Sequence, residues 1–199
     1  STADLHDAAA KVSMSKVFDN STSCSSENSL VLLDSVYADM VTALQQVGGY
    51  LADANERRKI QNSLWQDDKL NRDLICKDAA VLATRIGLDT SAENARFFMV
   101  EESRFDKHSP FADEKLSLVL TLYRARDFDH AISLIRDILK VQGKGHSCGI
   151  HTADPANARH LAESIDVVRV LVNQAHTFGN GGSFDNGLNF TLSMGCGTW

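Results

Sequence analysis

Cys24 lies in Phe18-Asp19-Asn20-Ser21-Thr22-Ser23-Cys24-Ser25-Ser26-Glu27-Asn28, a small polar stretch between an amphipathic segment and an apolar run. Structural cysteines usually sit among apolar neighbours. Here the neighbours are hydroxyls, amides and turn-formers that can present backbone N–H groups to a developing negative charge. From this stretch alone the thiol reads either as a nucleophile or as a semi-exposed spectator, because no base stands beside it in the sequence. A base is offered farther along, in Gly143-Lys144-Gly145-His146-Ser147-Cys148-Gly149-Ile150-His151, where His146 lies between glycines at the entry to a strand. An imidazole of ordinary pKa, about 6.5, can handle a thiol proton at neutral pH; the alternative role is a structural histidine bonded to backbone. His146, Cys148 and His151 also invite a zinc reading, but zinc needs four closed ligands or three plus water, and no metal is expected. Glu114, in Ser109-Pro110-Phe111-Ala112-Asp113-Glu114-Lys115-Leu116-Ser117, stands between a turn and a strand, where a carboxylate either meets ribose hydroxyls or is simply solvated. The stretch Gly179-Asn180-Gly181-Gly182-Ser183 lacks both the phosphate-loop pattern and a following helix, and reads as a turn beside the active site.

These groups need a scaffold, and the hydrophobic periodicity describes one. Leu5, Ala8, Ala9, Val12 and Val17 recur at helical spacing from Ala3 to Phe18, with Thr2 or Asp4 as cap. Ser29 to Leu33 is an apolar run short enough for a buried strand, and a helix follows from Asp34 or Ser35 until Gly48-Gly49 ends it. Helices are predicted over 55–65 and 77–86, with a loop at 67–69 between them, and strands over 95–100 and 119–123. A helix over 128–141, a strand over 149–152, a helix over 155–164 and a strand over 167–172 complete the pattern. Apolar strands alternating with helices indicate an α/β fold with a mainly parallel sheet flanked by helices.

The chain has 199 residues, 43% of them hydrophobic, with 2 prolines, which suits one globular domain over 1–199. The net charge of −6, with no basic cluster beyond Arg57-Arg58-Lys59, argues against nucleic acid or an anionic membrane as partner. Leu116 to Tyr123 falls far short of the roughly 18 apolar residues that span a bilayer. No leader opens the chain, and its 4 cysteines form neither a CxxC pair nor a dense framework, so a soluble protein of the reducing cytoplasm is expected. The chain opens at Ser1 without a methionine and stops at Trp199 after a Gly-Cys-Gly turn, so it is expected to be a fragment.

Four blocks, in order, resemble the CoA-acylating aldehyde dehydrogenases, including the aldehyde dehydrogenase half of bifunctional aldehyde-alcohol dehydrogenases. They are Met14 to Asn20 leading to Cys24-Ser25-Ser26-Glu27; Pro110 to Ser117 through Leu122-Tyr123-Arg124-Ala125; Gly145-His146-Ser147; and Arg169 to Asn173 with Leu192 to Trp199. The stretch Gly181 to Leu188 is most similar to acylating sulfoacetaldehyde and succinate-semialdehyde dehydrogenases. The resemblance implies an aldehyde dehydrogenase catalytic domain, with its dinucleotide-binding domain outside this chain. It implies Cys24 as nucleophile, His146 as its companion and Glu114 as the group holding the nicotinamide ribose. It implies that an aldehyde such as sulfoacetaldehyde or a semialdehyde would be oxidised to acyl-CoA with NAD or NADP as cofactor and coenzyme A as co-substrate. The full-length parent is expected to be a homo-oligomer and the isolated fragment inactive. The family usually has proline after Glu-Lys-Leu-Ser, where this chain has Leu118. The rival readings are a hydrolysing aldehyde dehydrogenase and a non-catalytic α/β interaction domain.

Overall fold

The computed structural model describes residues 2–105, 110–184 and 186–191, so the tail block Leu192 to Trp199 lies outside the described residues. The first helix, α1 (Leu5–Val17), starts where the Asp4 carboxylate accepts the N–H groups of His6 and Asp7, and it buries Ala8, Ala9 and Val12. Strand β1 (Ser29–Leu33) has the bounds its apolar run predicts. A tight helical turn over Asp34–Val36 then leads into α2 (Tyr37–Gln46), whose Met40 and Leu44 face the core.

Gly48-Gly49 ends that helix and also opens β2 (Gly49–Leu51), a strand too short to show a period in the sequence. A Cβ on Gly49 would come within 2.8 Å of the Phe97 ring and 2.9 Å of the Leu44 carbonyl, so only glycine leaves room for both. Helix α3 (Ala54–Leu64) is held by a reciprocal cap: the Asp53 carboxylate takes the Glu56 N–H, and Glu56 takes the Asp53 N–H. The predicted loop is a hairpin, β3 (Trp65–Gln66) and β4 (Lys69–Leu70), turned by Asp67 and Asp68 at φ 50° and 58°. Helix α4 (Ala79–Ile86) closes on Gly87 in the left-handed conformation.

Strands β5 (Phe97–Glu101) and β6 (Val119–Ala125) complete a four-stranded, all-parallel sheet in the order β1-β6-β5-β2. Its centre is dry: Phe97 to Val100, Val119 and Leu120 are fully buried. Helix α5 (Phe128–Gln142) packs on β1 and β6 and leads to a second parallel pair, β7 (Gly145–Ile150) and β8 (Val167–Val172), joined by α6 (Pro155–Ser164). The parallel strands thus fall into two sheets, and Ile132, Leu161 and Ile165 form a small second core beneath the pair. Strand β7 begins four residues before the predicted 149–152. Gly145-His146-Ser147-Cys148 has no apolar alternation to reveal it, and pairing with the apolar β8 imposes the register. The glycine-rich stretch predicted as a turn belongs partly to a short helix, α7 (His176–Gly181). Among the described residues no helix is long and apolar enough to cross a membrane.

Truncating Leu120 to alanine should cost about 2–5 kcal/mol, because the surrounding sheet cannot collapse onto the void. Asp53→Ala, which removes only the α3 cap, should cost about 1 kcal/mol. Urea unfolding of the two variants checks the ordering.

Candidate active site

Cys24 is exposed, in the loop that carries the chain from α1 to β1. Three consecutive residues before it, Asp19, Asn20 and Ser21, take positive φ angles of 48°, 51° and 63°. A left-handed run of non-glycine residues is costly and persists only where neighbours enforce it. Here the enforcing bonds are Asn20 Nδ2–H to Asp78 Oδ1 at 2.7 Å, Ser21 Oγ to Ser26 Oγ at 2.7 Å, and the Thr22 hydroxyl to the Asp19 carbonyl at 2.5 Å. The loop's amides are partly committed to this turn. The Ser25 N–H bonds to Ser23 Oγ, the Ser26 N–H to the Ser23 carbonyl and the Thr22 N–H to the Asp19 carbonyl. Fewer N–H groups face outward than the composition of the stretch suggests.

Glu114 is brought to the same end of the sheet by parallel pairing. Ser29 of β1 is in register with Thr121 of β6, so the chain entering each strand arrives at one edge. The Asn28 amide ties the two approaches together by donating to the carbonyls of Ala112 (3.2 Å) and Asp113 (2.9 Å). The Phe111 carbonyl takes the Thr121 hydroxyl and the Lys115 ammonium, both at 2.8 Å. Leu118, where the resemblance led to an expected proline, is buried, and its carbonyl accepts the Phe98 N–H at 2.8 Å. A proline would keep that carbonyl, so the exchange leaves the β5–β6 bond intact.

A cavity of about 600 Å³ is lined by Cys24, Glu27, Glu114, His146, Ser147 and His176. All three residues singled out from the sequence therefore face one space. His146 sits at the second position of β7, with its Nδ1 2.7 Å from Ser147 Oγ and its Nε2 buried without a hydrogen-bond partner. Burial, with the Arg169 charge, lowers its pKa below the ordinary imidazole value, against a smaller upward pull from Glu114. His151 directly follows β7, and among the described residues no group of three His, Cys, Asp or Glu side chains is arranged to hold a metal ion.

Glu27 and His176 escaped the sequence reading, although Glu27 stands in the quoted Cys24 block and His176 just before the glycine-rich stretch. Glu27 is buried; its Oε1 takes the His176 backbone N–H at 3.0 Å, while Oε2 has no partner. Desolvation raises its pKa above the carboxylate range, opposed by the Ser15 hydroxyl, the His176 N–H and the Lys16 charge. Lys16, itself buried on α1, is lowered by desolvation and partly restored by Glu27. The His176 ring reaches Ser147 Oγ with Nε2 at 2.9 Å, and burial together with His146 and His151 pushes it down to about 4. Only the fold reveals these groups, because nothing in the local sequence says that a carboxylate or an imidazole will be desolvated.

Two measurements follow from this geometry. Burial pushes the Cys148 thiol up to about 12, so iodoacetamide should label the exposed Cys24 well before Cys148, as read by peptide mapping. His176 should make the fold acid-sensitive. Its pKa falls from 6.5 unfolded to about 4 folded, so its contribution is complete above 6.5 and is lost as pH falls toward 4. Glu27 acts in the opposite sense, so the signature is a difference in slope: His176→Asn should lose less stability than the native sequence between those pH values in thermal melts.

No family model matches the chain. Over its whole length it is 49% identical to an acylating sulfoacetaldehyde dehydrogenase of Cupriavidus necator, of which it covers 40%. It is 34% identical to a bifunctional aldehyde-alcohol dehydrogenase of Escherichia coli, covering 23% of that protein. Among solved structures, an acetylating aldehyde dehydrogenase from Geobacillus thermoglucosidasius matches 94% of the chain and 41% of its own length, with a TM-score of 0.89 at 30% identity. The chain thus spans less than half the length of these relatives. Its mainly parallel, helix-flanked fold is theirs, and the chain is a homologue of the CoA-acylating aldehyde dehydrogenases.

Proposed function

We propose that the protein to which this chain belongs oxidises a small aldehyde to an acyl-CoA, with NAD or NADP as hydride acceptor and coenzyme A as co-substrate, through a thioester on Cys24. The observation that carries the reading is one cavity shared by an exposed thiol, a carboxylate and an imidazole with a buried, unpartnered Nε2. Similarity over the full chain to an acylating sulfoacetaldehyde dehydrogenase supports the acylating outcome and a short aldehyde such as sulfoacetaldehyde. Residues 1–199 are assigned as the nucleophile domain, with the dinucleotide-binding domain elsewhere in the parent. The net charge of −6 and the scattered cysteines support a cytoplasmic enzyme that takes neither nucleic acid nor an anionic membrane as partner.

The residues present fit a nicotinamide cofactor at one point: the partly exposed Glu114 carboxylate faces the cavity and can accept from ribose hydroxyls. When bound, the nicotinamide supplies hydride acceptance. The rest is the work of this chain. The Cys24 thiolate forms a bond from Sγ to the aldehyde carbon, and after oxidation the acyl group is held as a thioester. Coenzyme A sulfur then attacks the thioester carbon, His146 Nε2 takes the thiol proton, and the Sγ–carbon bond breaks to return the Cys24 thiolate. The lowered pKa of His146 keeps it neutral at pH 7, as an acceptor must be.

With aldehyde and NAD or NADP, the full-length parent should give at most one turnover without coenzyme A and steady acyl-CoA with it. Steady carboxylate production without coenzyme A would overturn the acylating reading in favour of hydrolysis. Cys24→Ser should lower turnover by at least about 10³-fold.

A further inference from the structure

Ser147 stands between two imidazoles. Its Oγ is 2.7 Å from His146 Nδ1 and 2.9 Å from His176 Nε2, and it also takes the Asn180 Nδ2–H at 3.3 Å. A hydroxyl has one proton to donate and two lone pairs. With Asn180 on one lone pair, two arrangements remain. Ser147 either donates to His176 and accepts the Nδ1–H of His146, or donates to His146 and accepts the Nε2–H of His176. The two leave opposite tautomers on His146: a bare Nε2 in the first, a protonated Nε2 in the second. A free histidine side chain favours the second, so a base acting through Nε2 needs its surroundings to impose the first.

We propose that His176, acting through the Ser147 hydroxyl, is a positioning residue that holds His146, a ring lining the cavity, in the tautomer whose Nε2 carries no proton. The proposal rests on the reading of His146 as proton acceptor above. Both backbone groups of His176 are engaged, its N–H with Glu27 Oε1 at 3.0 Å and its carbonyl with Asn180 Nδ2–H at 3.0 Å. Asn180 thus braces both the hydroxyl and the helix that carries the second ring. In the assigned state His146 carries its proton on Nδ1 and gives it to Ser147 Oγ, while Ser147 gives its own to His176 Nε2 and His176 keeps one proton on Nδ1. When His146 Nε2 takes the coenzyme A proton it becomes an imidazolium with both nitrogens protonated, and the Nδ1–H bond to Ser147 persists. No proton passes along the chain of hydrogen bonds; its role is to fix a tautomer and to favour the charged ring that forms.

The test is rapid-mixing kinetics on the full-length parent, reading the burst of reduced nicotinamide separately from acyl transfer to coenzyme A across a pH series. Ser147→Ala and His176→Phe should each slow acyl transfer by at least about 10-fold, and by more than they slow the burst. In Ser147→Ala the acidic limb of the acyl-transfer profile should move to lower pH, because the imidazolium loses the acceptor for its Nδ1–H. Ser147→Thr, which keeps the hydroxyl, should restore both rate and limb. Acyl transfer at the native rate in Ser147→Ala and His176→Phe, while His146→Ala is slow, overturns the positioning role and leaves the base assignment standing. A native rate in His146→Ala overturns both. Burst and transfer falling in step, with the limb unmoved and no rescue by threonine, marks a purely structural role and also overturns the proposal.

Discussion

Parallel pairing of β1 with β6 is the constraint on which the site depends. Because Ser29 is opposite Thr121, the loop that enters β1 and the loop that enters β6 meet at one edge of the sheet, and Cys24 and Glu114 each lie five residues before a registered strand. Antiparallel pairing would leave them a strand length apart, on the order of 17 Å for five or six residues. Asn28, the last residue before β1, uses its side chain to close the remaining gap through the carbonyls of Ala112 and Asp113. One register therefore sets both the sheet and the distance between two chemically distinct loops, and a slip of a single residue would turn every β1 side chain to the other face.

Holding that edge together buries ionisable groups. Lys16, Glu27 and Lys115 are all removed from water, an arrangement that packed apolar side chains would often match or exceed in stability. Lys115 is lowered chiefly by desolvation, with the nearby Lys16 charge adding to the effect, and it is satisfied by two carbonyls of the Glu114 segment. Glu27 is less well served, since one oxygen has no partner. Its bonded oxygen links the Cys24 loop to the start of α7, so the same carboxylate that costs stability fixes where His176 can stand.

Legibility in the sequence followed apolar content. The run Ser29 to Leu33, the helix Pro155 to Ser164 and the strand Val167 to Val172 have the bounds their patterns predict, because burial of alternating or continuous apolar residues is what forms them. Strand β7 began early and α7 was missed because Gly145 to Cys148 and His176 to Gly181 carry almost no periodic apolar signal; pairing and capping by distant groups decide them. The candidate residues Cys24, Glu114 and His146 could be named from type and surroundings and from the family resemblance. Glu27, Ser147 and His176 could not be given roles, since those roles exist only as contacts between the Cys24 loop, β7 and α7.

The electrostatics of the cavity bear on its histidines. His146, His151 and His176 are each lowered, and in each case burial is the largest cause. At neutral pH the three rings are therefore uncharged. This neutrality suits a base that must receive a proton late in the cycle. A ring already charged could not accept from an incoming thiol, whereas a neutral ring with its Nε2 unpartnered can. Under the proposed acyl transfer, the desolvation of these three rings therefore suits His146 to a step that takes up a proton rather than to one that supplies positive charge.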